Sequence, residues 1–180
     1  MLDTYKINIE GLERSLPVCK VNDKLSIAAF DMFSDVELTI KSAEGLLKKV
    51  PDFDVIVTPE AKGIPLSYEM ARQSGKNYII ARKEAKLYMK NPIKVDVRSI
   101  TTNRMQTLVL DEYKASLLKE KRVLIVDDVI STGESLKAVK VLVDAANGVI
   151  VGQCAVLAEG DAENMKGIFY LNTIPLIVND

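Results

Sequence analysis

From residue 54 onward the apolar positions fall into short continuous runs separated by stretches of helical spacing. Asp54-Val55-Ile56-Val57-Thr58 has no polar interruption, as expected of a strand covered on both faces. Pro59-Glu60-Ala61-Lys62-Gly63 breaks the run as a loop. Ile64 to Ser74 then takes up helical spacing, with Gly75 where a left-handed cap belongs. Tyr78-Ile79-Ile80-Ala81 predicts a second strand. Arg122-Val123-Leu124-Ile125-Val126 is the most continuous run and predicts a central strand that Asp127-Asp128 ends. Ser131-Thr132-Gly133 makes a turn, and Glu134 to Ala146 is helical with Leu136, Val139, Leu142, Val143 and Ala146 on one face, stopped by Gly148. Val149 to Leu157 and Leu176-Ile177-Val178 predict two more strands. Strands separated by single helices predict right-handed crossovers and an α/β fold, with a mainly parallel central sheet flanked by helices.

Two regions do not fit that rhythm. Residues 1–33 have no clean period and are expected to form a small N-terminal cap beside the sheet, before a helix over Asp35 to Val50 capped by Ser34 or Asp35. Arg82 to Arg104 is rich in Lys and Arg and broken at Asn91-Pro92, while Ile93, Val95 and Val97 alternate along an extended arm. Met105 to Leu110 is the returning arm, so residues 88–110 read as a long hairpin with a polar, exposed tip at Ser99-Ile100-Thr101-Thr102-Asn103. There are no internal repeats or low-complexity linkers, and residues 1–180 are expected to form a single domain.

Composition narrows the chemistry. With 48% hydrophobic and 27% charged residues, the chain has the make-up of an ordinary globular protein. The N-terminus has no apolar segment of a signal peptide, and no run approaches a membrane span, so a cytoplasmic protein without a membrane partner is expected. Cys19 and Cys154 form no C-x-x-C pair and are expected to be reduced. A net charge of −1 offers no overall attraction to nucleic acid. The chain has no histidine, which excludes Ser-His-Asp and Cys-His catalysis and His-ligated zinc. Any chemistry must run on carboxylates, Lys, Arg, hydroxyls, backbone amides or a metal brought by a ligand.

In an open α/β sheet, ligands bind beyond the carboxyl ends of the strands. The polar residues of Val123-Leu124-Ile125-Val126-Asp127-Asp128-Val129-Ile130-Ser131-Thr132-Gly133-Glu134-Ser135 stand there, in a pattern suited to a phosphorylated sugar. Backbone N–H groups at the new helix's N-terminus favour a phosphate. Ser131, Thr132 and Ser135 add hydroxyl donors, and Gly133 permits close approach of the backbone. The paired carboxylates repel phosphate but accept hydrogen bonds from ribose hydroxyls. The G-x-x-x-x-G-K pattern of a Walker A loop is missing.

An apolar strand, two acidic residues and a Thr-Gly turn opening a helix resemble the phosphoribosyl pyrophosphate (PRPP) signature of type I phosphoribosyltransferases. Glu60-Ala61-Lys62-Gly63 is similar to the E-A-R-G pyrophosphate loop of the adenine-specific members of the purine branch. Arg82, Lys83 and Lys86 resemble the basic strand end that follows it, and residues 88–110 stand where the family has a flexible catalytic lid. The match covers roughly residues 54–158. Two features depart from the adenine pattern: Ser99 to Thr107 looks more like the lid of xanthine phosphoribosyltransferases and the related purine-operon repressor, and Glu134 replaces a second Gly.

The resemblance implies transfer of phosphoribosyl from PRPP to a purine, adenine first, with xanthine or another 6-oxopurine as the alternative. It implies Mg²⁺ bound mostly through PRPP near Asp127 and Asp128, with no direct protein ligand set, and a homodimer. Asp127 and Asp128 would hold the ribose hydroxyls, and Ser131, Thr132, Gly133, Glu134 and Ser135 would cradle the 5′-phosphate. Glu60, Ala61, Lys62 and Gly63 with Arg82, Lys83 and Lys86 would hold pyrophosphate. Arg104 or the Thr101-Thr102 pair would reach it on lid closure, and Ala29, Phe30 and Asp31 would meet the base. A non-catalytic PRPP-sensing regulator is the alternative of another class.

Overall fold

A computed structural model describes residues 3–98 and 105–179. The N-terminal region is more ordered than its sequence suggests. Strands β1 (Thr4–Ile9), β2 (Leu12–Asn22) and β3 (Leu25–Ala28) form antiparallel hairpins. Glu10 and Gly11, both at positive φ, make the first turn. Alternation is faint there because few side chains of these strands, among them Ile7, Ile9 and Leu16, reach the core. Helix α1 (Val36–Leu47) follows, and Asp35 is its N-cap, accepting from the Leu38 N–H at 3.0 Å.

The α/β body begins with β4 (Val55–Pro59), α2 (Ile64–Ser74) and β5 (Asn77–Ala81). Gly75 closes α2 in the left-handed region at φ 69°. Strands β6 (Ile93–Arg98) and β7 (Met105–Leu110) pair antiparallel from Ile93–Leu110 to Arg98–Met105, as the alternation of Ile93, Val95 and Val97 predicts. A short helix α3 (Glu112–Ser116) leads to β8 (Arg122–Ile130), α4 (Glu134–Ala145) and β9 (Val149–Glu159). Asn147, at φ 56°, rather than Gly148, takes the left-handed position after α4. A single 3₁₀ turn precedes β10 (Ile168–Ile174) and β11 (Leu176–Val178).

The central sheet has the order β10-β9-β8-β4-β5, with every pairing parallel. Three details differ from the sequence reading. The strand containing Asp127 and Asp128 continues through them to Ile130, because β9 goes on pairing with it as far as Ala158. Strand β10 is an edge strand, half-buried along most of its length, so its sequence shows neither a buried run nor an alternation. Strand β11 pairs antiparallel with β3, so the chain's last strand completes the cap sheet β1-β2-β3-β11.

Two hydrophobic layers cover the central sheet. On one face Leu38, Ala43 and Leu46 of α1 and Leu66 and Met70 of α2 pack with Ile56, Leu124, Val126 and Cys154. On the other, Leu136, Val139, Leu142 and Val143 of α4 pack with Val57, Ile125, Ala155 and the hairpin's Leu108 and Leu110. Ile125 is fully buried in the second layer. Ile125→Val should cost about 1 kcal/mol, from the lost burial of one methylene plus the small cavity left behind, read by urea denaturation.

The order of connections positions the site. From β4 the chain moves outward to β5, then returns to the opposite side of β4 with β8 and continues outward through β9 and β10. The crevice where these directions diverge lies beyond the carboxyl ends of β4 and β8, the expected ligand position in such a sheet.

Candidate active site

Strands β4 and β8 are in register from Val55–Val123 to Val57–Ile125, which brings their following segments, 60–63 and 127–133, side by side. The approach is closest at Gly63. A Cβ there would stand 2.9 Å from the Asp127 Cα and 3.1 Å from its carbonyl carbon. The glycine is required by space rather than conformation, since its φ is an ordinary −69°.

Asp127 and Asp128 are 6% and 7% exposed, an unusual depth for two adjacent carboxylates. Successive side chains on a strand point to opposite faces. The alternation does not carry through this pair, since Val129 packs with the α1 and α2 layer and Ile130 with the α4 layer, and the Asp127 and Asp128 side chains are close enough to hydrogen-bond. Asp127 lines a cavity of about 420 Å³, with Pro59, Ala61, Lys83 and Met105 to Leu108 of the hairpin. Asp128 lies 3.8 Å, through its Oδ2, from the Lys62 ammonium. Lys62 lines a second cavity, of about 440 Å³, with Arg14, Ala29, Phe30 and Asp31. Asp127 Oδ1 also accepts from the Asp128 N–H at 2.9 Å. Burial first, and repulsion from Asp128 second, push the Asp127 carboxyl well above the usual carboxylate range.

The pyrophosphate-loop candidates separate by role. The Glu60 carboxylate is turned to the strand end after β5, accepting from the Lys83 N–H at 3.0 Å and pairing with Arg82 at 3.1 Å. Main-chain bonds between Arg82 and Val109 fasten that strand end to the hairpin. Glu60 thus anchors Lys83, whose side chain reaches the first cavity. Ala61 lines the same cavity, whereas Lys62 donates to the Phe30 carbonyl at 2.7 Å. Lys86 pairs with Glu84, and Lys86 is not among the residues lining the first cavity.

Beyond β8, Gly133 at φ 72° is the residue from which α4 starts, so the turn uses a conformation that favours glycine. Ser131 and Gly133 are half-buried and Thr132 is exposed. Glu134 opens the helix, and only the backbone of Ser135 is described. The N-terminal turn of a helix directs its N–H groups along the axis, an arrangement that receives an anion. The Met165 sulfur approaches this turn, 3.5 Å from where a Gly133 side chain would begin. Ala29 N donates to the Pro17 carbonyl at 2.9 Å, and Asp31 accepts from the Phe33 N–H at 3.0 Å. Arg104, with the hairpin tip at residues 99–103, lies outside the described residues.

The sequence reading left out Arg14, which lines the second cavity and grips Asp35 through two bonds at 2.7 and 3.2 Å and Glu37 at 3.0 Å. Its bonds to Asp35 and Glu37 raise its basicity, and the same grip lowers the Asp35 carboxyl. Nothing local in the sequence marks this pairing, because 21 residues separate Arg14 from Asp35. The returning hairpin arm was expected, but only the fold shows that Gln106 and Thr107 wall the first cavity. Thr107 donates to Asp96 across the hairpin at 2.6 Å.

Residues 34–174 match the family described as the phosphoribosyl transferase domain. Over 121 residues the chain is 36% identical to an adenine phosphoribosyltransferase of Petrotoga mobilis, a match that covers 65% of this chain and 66% of that relative. The chain thus spans just under two thirds of that relative's length. It is also 32% identical over 110 residues to the purine biosynthesis transcriptional repressor PurR of Bacillus subtilis, covering 61% of this chain and 38% of the repressor. Among solved structures, the adenine phosphoribosyltransferase of Thermoanaerobacter pseudethanolicus superposes with a TM-score of 0.67 at 23% identity, over 79% of this chain and 84% of that one. The family match runs from the end of the cap through β10 and takes in the paired aspartates and the turn that opens α4: this chain belongs to the phosphoribosyl transferase domain family.

Proposed function

We propose that this chain is a PRPP-dependent purine phosphoribosyltransferase of purine salvage, with adenine as its base. The observation that carries this reading is the pair of nearly buried aspartates at the crevice between β4 and β8, with Asp127 lining the first cavity and Asp128 beside Lys62, which lines the second. A ribose ring over Asp127 and Asp128 has its 5′-phosphate at the start of α4. Its pyrophosphate lies in the first cavity beside Ala61 and Lys83, and the purine lies toward Ala29, Phe30 and Asp31. The adenine-enzyme relatives and the Glu60 to Gly63 loop support the choice of base.

In the reaction, a purine nitrogen supplies the electron pair that forms the bond to ribose C1. The C1–O bond breaks, its electrons leave on pyrophosphate, and the nitrogen's proton passes to water. Asp127 and Asp128 accept hydrogen bonds from the ribose hydroxyls and orient the ring. Lys83, held by Glu60, meets the charge growing on the leaving group. The hairpin wall at Gln106 and Thr107 helps to exclude water from the reacting carbon.

Mg²⁺ fits this donor set as a companion of the substrate. Two hard carboxylates suit it, but no cluster of three or more acidic, His or Cys side chains occurs among the described residues. Oxygens of PRPP and water would complete its shell. Bound there, Mg²⁺ supplies neutralising charge to the pyrophosphate. The cytoplasm suits two free cysteines, one of them buried. A homodimer suits the exposed Phe33, Val36, Ile40 and Tyr68 beside the cap.

The deciding assay is pyrophosphate release from PRPP with adenine, hypoxanthine, guanine, xanthine, orotate and uracil in turn. Release with adenine, and none with the two pyrimidines, is the expected result. Release with xanthine instead moves the substrate to the 6-oxopurines. Silence with every base, joined to PRPP binding by calorimetry and binding of a DNA duplex, replaces the enzyme by a regulator.

A further inference from the structure

The loop residue Lys62 faces away from the cavity that holds Ala61 and Lys83. Its ammonium donates to the Phe30 carbonyl at 2.7 Å, lies 3.8 Å from Asp128 Oδ2, and helps line the second cavity. It therefore bridges three parts of the site: the loop after β4, the cap segment 29–31, and the second aspartate of β8. The cap segment is pinned to β2 by Ala29 N to the Pro17 carbonyl, and Asp31 closes a local turn by accepting from Phe33 N. At Phe30 itself, Lys62 ties it to the α/β body instead.

We infer that Lys62 is a positioning residue that holds the purine-side segment in register with the ribose carboxylate Asp128, so that base and PRPP bind cooperatively, rather than a ligand of pyrophosphate. The inference rests on the proposed transferase reading. An ammonium carries three donors and no acceptor, so one lysine serves a carbonyl and a carboxylate together. The bond to the carbonyl is charge-assisted and stronger than one between neutral groups. A segment fixed before the purine arrives loses less freedom on binding it. Ribose hydroxyls that orient Asp128 also fix the far side of the Lys62 bridge, which makes the coupling reciprocal.

Two substitutions test this. Lys62→Met keeps the stem but removes the charge and the donors, and Lys62→Arg restores both. The Met variant should raise KM for adenine about tenfold, the scale of a charge-assisted hydrogen bond, with a smaller change in kcat. Its calorimetric affinity for PRPP with Mg²⁺ should stay within about threefold of wild type. Adenine should bind wild type more tightly once PRPP is present, and the Met variant should lose that gain. The Arg variant should recover the adenine KM, which a merely bulky filler would not. A tenfold loss of PRPP or pyrophosphate affinity with an unchanged adenine KM overturns the inference and makes Lys62 a pyrophosphate ligand. No change in either quantity overturns it as well. Failure of the transferase reading shows separately, because wild type itself would then release no pyrophosphate with any base.

Discussion

Asp127→Asn combined with Asp128→Asn should abolish phosphoribosyl transfer, lowering turnover by about 1,000-fold or more, while the protein stays folded. Both carboxylates are almost fully buried at the crevice between β4 and β8; Asp127 lines the first cavity and Asp128 lies beside Lys62. Asparagine keeps their shape but removes the charge that favours Mg²⁺ and turns one acceptor oxygen of each into a donor, which disturbs the bonds that orient the ribose. The unliganded fold loses little, because Asp127 is unfavourably placed without substrate. Burial and the neighbouring Asp128 raise its carboxyl, so the folded chain keeps a proton that the unfolded chain releases from about pH 4 upward. Wild-type stability should therefore fall as pH rises from that point through the raised pKa of Asp127. The single variant Asp127→Asn has no such proton to lose, and its melting temperature should exceed that of wild type near neutral pH. Circular dichroism melts across pH, run beside the pyrophosphate assay, measure both effects. Full activity in the double variant would sink the site assignment. A melting temperature for Asp127→Asn that tracks wild type at every pH would sink the account of Asp127.

Gly63→Ala should have the second-largest effect. The added carbon would meet the Asp127 Cα at 2.9 Å and its carbonyl carbon at 3.1 Å, and main-chain atoms in the middle of a sheet cannot rotate aside. The loop after β4 must then move away from the end of β8, which separates Ala61 and Lys62 from the aspartates they accompany. A stability loss of about 1–3 kcal/mol is expected from the overpacking. The loss of transfer should be larger in proportion, about 100-fold, because a displacement near 1 Å is enough to misplace reacting groups. Gly75→Ala is the matching control. Its left-handed φ of 69° makes alanine unfavourable by about 1–2 kcal/mol, yet nothing lies within 4 Å of the new carbon. Urea denaturation should record comparable losses for both variants, with transfer impaired only in Gly63→Ala. Equal activity in the two would mean that the contact at Asp127 does not set the geometry of the site.

Much of this architecture was legible along the chain. The runs at Val55 to Thr58 and Val123 to Val126 are apolar on both sides because helices cover both faces of a parallel sheet, and that burial leaves a local mark. The cap left little mark. Its strands send few residues inward, and its last member, Leu176–Val178, comes from the far end of the chain. The 13-residue segment from Val123 to Ser135 was legible for a different reason, since a strand end, a tight turn and a helix start lie in sequence order. The grip of Arg14 on Asp35 and Glu37 joins separate segments and has no local signature.

The absence of histidine excluded imidazole chemistry at once, and the adjacent aspartates before Ser131-Thr132-Gly133 pointed to a phosphorylated sugar. Residue types and local periods determine that much, because backbone preference and burial act on neighbours. Only the tertiary structure decided how the two aspartates divide their work. The packing of separate segments puts Asp127 on the first cavity, which the hairpin walls, and Asp128 beside Lys62. The same packing turned the four residues of one loop to different tasks: Glu60 to the strand end, Ala61 to the first cavity, Lys62 to the cap, and Gly63 against β8. Those directions depend on which distant segments fill the space around each side chain, and no short stretch of sequence carries that information.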